Sequence, residues 1–274
     1  MINKQKREVI IRDILINNLI DIVKFTGMEA LKIYNKDFSI EYKDDKSPLT
    51  EADAKVNEII CEFLEKEHNY PILSEENKQI DYEKRKNWEY YWCIDPIDGT
   101  KEFIKKNGEF TINIALIYKD TPILGIVYAP VLDKLYYAKK GEGAYLLHND
   151  KKYKLPFIKK NEFIVVASKS HISKKTENFI ENLKRNYDVN LESIGSSLKL
   201  CKVAEGSADI YPRIAPTMEW DTAAADAIVR EAGKKSYIYE EKLNNIDSVE
   251  EIKNIAKSLK YNKENLLNPY LVVV

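Results

Sequence analysis

Residues 92–100 read Trp92-Cys93-Ile94-Asp95-Pro96-Ile97-Asp98-Gly99-Thr100, and the fold turns on how this stretch is read. An apolar run stops at two carboxylates three residues apart. A proline divides them, and glycine and threonine follow. Asp-Pro and Asp-Gly are common turn dipeptides, so a turn that merely ends a strand is one reading. The other is a site. Pro96 stiffens the bend so that Asp95, Asp98 and the Ile97 carbonyl aim at one point. Either way a strand ends here, and strand ends are where α/β folds place ligands.

Upstream of this stretch the pattern is helical. Val9, Ile10, Ile14, Leu19, Ile22 and Val23 recur at mixed three- and four-residue spacing, which predicts a long helix over residues 4–35. Residues 40–49 are polar and reach Pro48, as in a loop or short hairpin. Thr50 opens a second helix with an apolar stripe from Val56 to Leu64. A short strand, Tyr70–Leu73, leads straight into Ser74-Glu75-Glu76, and residues 77–89 form a charged surface excursion.

Downstream the pattern turns to strands. Tyr91–Ile94, Thr111–Tyr118, Ile123–Tyr128, Lys134–Ala138 and Ala144–Leu147 are β-rich runs divided by turn signals. Helices covering one face of a mainly antiparallel sheet are expected. After residue 160 strands and helices alternate: Phe163–Ala167, Lys174–Asn186, Leu191–Ile194, Ser197–Ala204, Asp209–Tyr211 and Asp221–Ala232, the last stopped by Gly233. This reads as an α+β half, residues 1–155, followed by an α/β half, residues 156–274. Ser248-x-x-Glu251 resembles a capping box before one more helix.

Bulk properties exclude several classes. In 274 residues, 43 Lys and Arg face 44 Asp and Glu, for a net charge of −1. No basic excess exists to hold nucleic acid non-specifically. Three distant cysteines without a C-x-x-C spacing indicate reduced thiols rather than a disulfide framework or a zinc site. The charged N-terminus lacks the apolar core of a signal peptide, and no window approaches 18 apolar residues. A cytoplasmic protein is expected, with a peripheral contact at the inner face of the membrane left open.

The acids that matter are Asp53, Glu75, Glu76, Asp95, Asp98 and Asp221. Each has a plain reading: Asp53 as a capping-box partner of Thr50, Glu75 and Glu76 as loop charges, Asp221 as an N-cap. Together they point to hard oxygen ligands for Mg²⁺, because several carboxylates in one place repel unless cations neutralise them. The three histidines, His68, His148 and His171, form no cluster. Phosphate monoester hydrolysis suits this donor set. That reaction is very slow uncatalysed, and carboxylate-held metals can activate water and neutralise phosphoryl oxygens.

Four ordered motifs carry a resemblance. Ser47-Pro48-Leu49-Thr50-Glu51-Ala52-Asp53, Leu73-Ser74-Glu75-Glu76, Asp95–Thr100, and Trp220-Asp221-Thr222-Ala223-Ala224-Ala225-Asp226 ending at Glu231-Ala232-Gly233 resemble the signatures of the lithium-sensitive, magnesium-dependent phosphatases. That superfamily holds inositol monophosphatases, fructose-1,6-bisphosphatases and 3′(2′),5′-bisphosphate nucleotidases. Lys101-Glu102-Phe103, Gly195-Ser196-Ser197-Leu198-Lys199 and Tyr211-Pro212-Arg213 are similar to the bacterial CysQ-type nucleotidases within it.

The resemblance implies a layered αβαβα sandwich and removal of the 3′-phosphate of adenosine 3′,5′-bisphosphate, giving AMP and phosphate, a reaction tied to sulfur assimilation. It implies two or three Mg²⁺ ions on Glu75, Asp95, the Ile97 carbonyl, Asp98 and Asp221. Asp53 and Thr100 resemble the pair that orients and deprotonates the attacking water. Gly99, Lys101, His171, Gly195, Ser196, Lys199 and Arg213 are implied substrate contacts. A nucleotide bisphosphate is thus the expected partner, and the chain a monomer or homodimer. Lithium inhibition is implied too. An inositol or sugar monophosphatase and a non-catalytic nucleotide sensor are the rival readings. Two departures stand out: Lys234 where the second signature usually has another glycine, and a long segment over Tyr237–Leu259.

Overall fold

The computed structural model describes residues 16–42, 48–158, 161–168, 172–246 and 248–274. Its centre is a seven-stranded sheet in the order β3 (Ile72–Ser74), β4 (Tyr90–Asp98), β5 (Thr111–Tyr118), β6 (Thr121–Ala129), β7 (Lys134–Lys139), β8 (Gly143–His148) and β9 (Lys151–Lys154). The β3–β4 pair is parallel and every later pair antiparallel. Strand period two sends alternate side chains to opposite faces. Trp92, Ile94, Ile114 and Ile126 face one core, while Tyr91, Cys93, Ala115 and Val127 face another.

The first face is covered by α1 (Ile16–Tyr34) and α2 (Glu51–Glu67), whose stripes bury Leu19, Val23 and Ala30, and Val56, Ile60 and Leu64. Positions 4–15 of the expected first helix lie outside the described residues. The polar stretch before α2 is a hairpin, β1 (Ile40–Tyr42) against β2 (Pro48–Thr50). Within the charged excursion sits one turn of helix, α3 (Tyr82–Arg85). Arg85 is buried there, bonding Asn262 and the Ile80 and Glu264 carbonyls.

The second face carries a later helix. After the single turn α4 (Thr100–Ile104) come β10 (Phe163–Ala167), α5 (Lys174–Leu183), β11 (Val189–Ser193), α6 (Leu198–Glu205), β12 (Tyr211–Arg213) and α7 (Trp220–Glu231). The alanines of α7 let it lie against β6 at very short range. A Cβ added to Gly125 would meet the Ala224 carbonyl oxygen at 2.1 Å and the Ala227 Cβ at 2.8 Å. The sheet is therefore sandwiched between helices on both faces, a layered α/β architecture, rather than covered on one. The strand sequence shows only one covered face because the second cover arrives more than 90 residues later in the chain.

Gly233 ends α7 in the left-handed region, and the Lys234 N–H reaches the Val229 carbonyl as in a Schellman cap. Glu231 accepts the Gly141 and Gly143 N–H groups, so α7 also closes the β7–β8 turn. Beyond it, β10 and β11 pair in parallel, and β13 (Ser236–Ile238) and β12 flank β14 (Leu271–Val273), which closes the chain. The last helix, α8 (Val249–Ile255), starts with the capping box expected of Ser248 and Glu251. The strand expected at Asp209–Tyr211 begins two residues later. Asp209 instead takes the Ile164 N–H on its side chain and ties down the end of β10.

Candidate active site

The stretch that opened the sequence is the end of the buried strand β4. Asp95 faces Asn113 and Asp98 faces Thr111 across β5, with a register shift between the two pairs. One more residue lies between the aspartates on β4 than between their partners on β5, and Pro96 sits in that bulge. A proline in a central strand is tolerated there because the ladder is already broken. Gly99 then turns the chain in the left-handed region, φ 93°, and starts α4. Turn and site are the same object.

Two other elements bring acids to this point. Glu75 follows β3, and its N–H bonds the Ile94 carbonyl. Its loop is tied to α2 through Ser74 Oγ and Asn57 Oδ1 at 2.7 Å and through Asn57 and Asn77. Asp221 lies in the first turn of α7, with Oδ2 accepting the Met218 N–H at 2.8 Å. Carboxylate oxygens of Glu75, Asp95 and Asp221 lie within 4.8 Å of one another. Asp95 is 1% exposed, and its Oδ1 has no hydrogen-bond partner among the described residues. Burial, then the charges of Glu75, Asp98 and Asp221, drive its carboxyl far above the usual range. Burial and the Asp98 charge push Asp221 up to about 8, against the Met218 N–H. A buried, orphaned carboxylate oxygen among like charges is what a cation site looks like before the cation. The all-oxygen set fits a hard divalent ion. Glu75, Asp95 and Asp221 would hold it, with Asp98 and the Ile97 carbonyl beside them.

Asp98 differs from Asp95. Its Oδ2 takes the Ser197 N–H at 2.6 Å, the Asn113 amide at 3.3 Å and the Thr111 hydroxyl at 3.4 Å. The ring continues: Ser197 Oγ donates to the Asp221 carbonyl at 2.8 Å and accepts from Asn113 Nδ2 at 2.9 Å. Asn113 and Ser197 thus join β4, β5, the turn before α6 and α7. The sequence reading did not assign either one. Asn113 was findable, as an amide inside the otherwise apolar strand TINIALIY.

Asp53 does two jobs with its two oxygens. Oδ2 takes the Thr50 N–H at 2.8 Å and the Thr50 hydroxyl at 2.6 Å, completing the capping box of α2. Oδ1 faces the Thr100 hydroxyl at 3.4 Å, which also lies 3.3 Å from the Ile97 carbonyl. The cap fixes the carboxylate through Oδ2 so that Oδ1 points at Thr100.

Next to the acids is a pocket of about 140 Å³ lined by Gly99, Lys101, Gly195, Ser196, Lys199 and Arg213, among others. Ser196 is held at φ 45°, a strained value for a residue with a side chain. Four bonds impose it. The Gly195 N–H goes to Glu109 at 2.8 Å, the Ser197 N–H goes to Asp98, and Lys199 Nζ takes the Ser196 and Ile194 carbonyls at 2.6 and 3.3 Å. Lys199 therefore spends two of its donors on the loop itself. Burial lowers its pKa to about 8, opposed by the Asp98 charge. Ser196 Oγ and Arg213 Nε are buried without partners among the described residues, and Arg213 also donates to the Pro216 carbonyl. His171 lies outside the described residues.

A single sheet edge thus carries carboxylates for cations beside a cation-lined pocket for an anion, on a layered α/β scaffold: the arrangement of a metal-dependent phosphatase. The chain belongs to the inositol monophosphatase family, which it matches over residues 13–269. It is 41% identical to the 3′(2′),5′-bisphosphate nucleotidase CysQ of Salmonella typhimurium over 222 residues, 80% of this chain and 88% of that one. The crystal structure of CysQ from Bacteroides thetaiotaomicron is similar at 43% identity and a TM-score of 0.80, covering 93% of this chain and 94% of that chain. The staphylococcal inositol monophosphatase-1 in a lithium-chloride-soaked inhibitory complex shares the fold, at 20% identity and a TM-score of 0.72 over 94% of this chain and 89% of that one. No helix among the described residues is long and apolar enough to cross a membrane.

Proposed function

We propose that the chain is a Mg²⁺-dependent 3′(2′),5′-bisphosphate nucleotidase that hydrolyses the 3′-phosphate of adenosine 3′,5′-bisphosphate to AMP and phosphate. One observation carries the reading. The acidic cavity, lined by Glu75, Asp95, Ile97 and Thr100, and the anion pocket of Ser196, Lys199 and Arg213 share a wall made of Asp98, Gly99, Lys101, Glu102 and Asp221. Two adjoining sites for negative charge fit a substrate with two phosphates. The similarity to the CysQ nucleotidases supports the same substrate class.

Divalent cations at the carboxylates would neutralise phosphoryl oxygens and acidify a water molecule. The rest falls to the chain. Thr100 Oγ accepts the proton of the attacking water as its own proton passes to Asp53 Oδ1, the cap being made by Oδ2. Arg213 Nε and Ser196 Oγ, which have no partner among the described residues, donate to oxygens of the non-reacting phosphate. Lys199 neutralises that phosphate while holding the Ser196 turn in place. A cytoplasmic location and a small-molecule partner go with this reading.

The test is phosphate release with Mg²⁺ from adenosine 3′,5′-bisphosphate and from inositol 1-phosphate. A kcat/KM higher for the nucleotide is expected. A higher value for the inositol ester refutes the substrate, and tight nucleotide binding with no release refutes catalysis.

A further inference from the structure

The two cavities share a wall, and one carboxylate in that wall has no task in the proposed reaction. Glu102 lines both cavities, and its carboxylate has no hydrogen bond or ion pair among the described residues. Asp98 and Asp221 have oxygens bound to backbone N–H groups, and the lysine beside Glu102 has only donors. Glu102 is thus the open acceptor between the acidic cavity and the anion pocket. Its seat is made by two glycines. A Cβ on Gly195 would lie 2.8 Å from Glu102 Cγ, and one on Gly99 would lie 3.3 Å from Glu102 Oε2. One glycine sits in the metal-binding turn, the other in the turn that carries Ser196, so both motifs are cut back around this side chain.

We infer that Glu102 is a specificity-determining residue, accepting a hydrogen bond from the free hydroxyl next to the phosphate being removed. The inference rests on the nucleotidase reading above. With the scissile phosphate over the carboxylates and the second phosphate at Arg213, the sugar must cross the shared wall. The hydroxyl vicinal to the scissile ester is then the polar group closest to Glu102. The geometry is indifferent to which of the two ribose positions carries the phosphate, because either isomer leaves its neighbour free. The same charge repels a third phosphate at that neighbouring position.

The experiment compares adenosine 3′,5′-bisphosphate with its 2′-deoxy analogue on the Mg²⁺-loaded enzyme, and in parallel the binding of AMP and 2′-deoxy-AMP by calorimetry. A hydrogen bond to a charged acceptor predicts a preference for the ribose form of about tenfold or more. Glu102→Ala is expected to bring that ratio close to one in both assays. Glu102→Gln keeps an acceptor oxygen and is expected to fall between. An unchanged ratio in Glu102→Ala, or a wild type that does not distinguish the sugars, overturns the inference. If the wild type binds both nucleotides without releasing phosphate, the nucleotidase reading fails and the binding ratio alone judges Glu102. If it binds neither, both fail. Should Glu102→Ala not fold, Glu102→Gln decides, since it fills the same space between the glycines.

Discussion

The two cavities on either side of Glu102 are built on opposite plans. In the acidic cavity the protein leaves its charges exposed to one another: Asp95 Oδ1 has no described partner, and burial and like charge raise Asp95 and Asp221. In the anion pocket the buried cation is already engaged, since Lys199 holds the Ser196 and Ile194 carbonyls. The first site is incomplete without a mobile ion. The second is set by the fold and adds only Arg213 Nε and Ser196 Oγ to an incoming phosphate. Metal dependence and substrate preference are therefore separable properties of one surface.

The sharpest way to break the contrast is Asp95→Asn. It removes a cation-facing charge, and a metal's charge stabilisation is worth several kcal/mol, so phosphate release should fall roughly a thousandfold. The metal-free protein should melt at a higher temperature than the wild type, because Asn needs no proton uptake to be buried among the other acids. A lower melting temperature would mean that Asp95 is a structural acid.

Arg213→Ala probes the other plan. Losing a charge-assisted bond costs about 1.5–3 kcal/mol. KM for the bisphosphate should rise at least about tenfold, while hydrolysis of adenosine 3′-monophosphate, which lacks the second phosphate, should change little. An equal loss on both substrates would place Arg213 with the metals.

Asn113→Ala tests the join between the cavities, since its side-chain amide donates to Asp98 Oδ2 at 3.3 Å. Removing a partner that orients a ligating carboxylate typically weakens metal binding about tenfold. The Mg²⁺ concentration for half activity should rise by about that factor, with Mn²⁺ binding followed by electron paramagnetic resonance falling in parallel. Ser197→Ala keeps the main-chain N–H that Asp98 accepts and should have a smaller effect. Unchanged metal binding in Asn113→Ala would show that Asp98 needs no side-chain support from β5.

The smallest effect concerns pH. Asp95 and Asp221 are raised in the fold relative to an unfolded chain. Between the unfolded carboxylate range and about 8, the folded state holds the protons and the unfolded state does not. Without metal, stability should therefore fall as pH rises from about 4 to about 8, by linkage. Saturating Mg²⁺ should flatten the slope and release protons on binding, both readable by scanning and titration calorimetry. A metal-free melting temperature that rises over this range would contradict the repulsion inferred among the acids.

Much of this was legible in the chain. Apolar alternation placed the strands from Tyr90 to Leu147, and the capping signals at Thr50 and Ser248 placed two helices correctly. The structure brings together Glu75, Asp95 and Asp221, acids drawn from three separate motifs, because short-range signals mark the ends of elements and those ends converge at one sheet edge. What stayed hidden depends on long-range packing. Nothing near Ser197 shows that its hydroxyl meets the Asp221 carbonyl, and nothing near Lys199 shows that its ammonium turns inward to carbonyls. The helix over Asp221–Ala232 was visible in the chain, but its place on the second face followed only from the family resemblance, since its partner strands precede it by about a hundred residues.

Gly125 and Ala224 leave no room between α7 and β6 for even a methyl group. That contact holds the first turn of α7, and with it Asp221, at a fixed height over the sheet that carries Asp95. In evolutionary terms the two parts of the site have unequal freedom. Position 125 is closed to every side chain, so the spacing of the carboxylates cannot drift by small steps. The side chains of Glu102 and Ser196 line the pocket itself and can change with its occupant. A lineage built on this frame can change which phosphate ester it accepts long before it can change how it handles the phosphate.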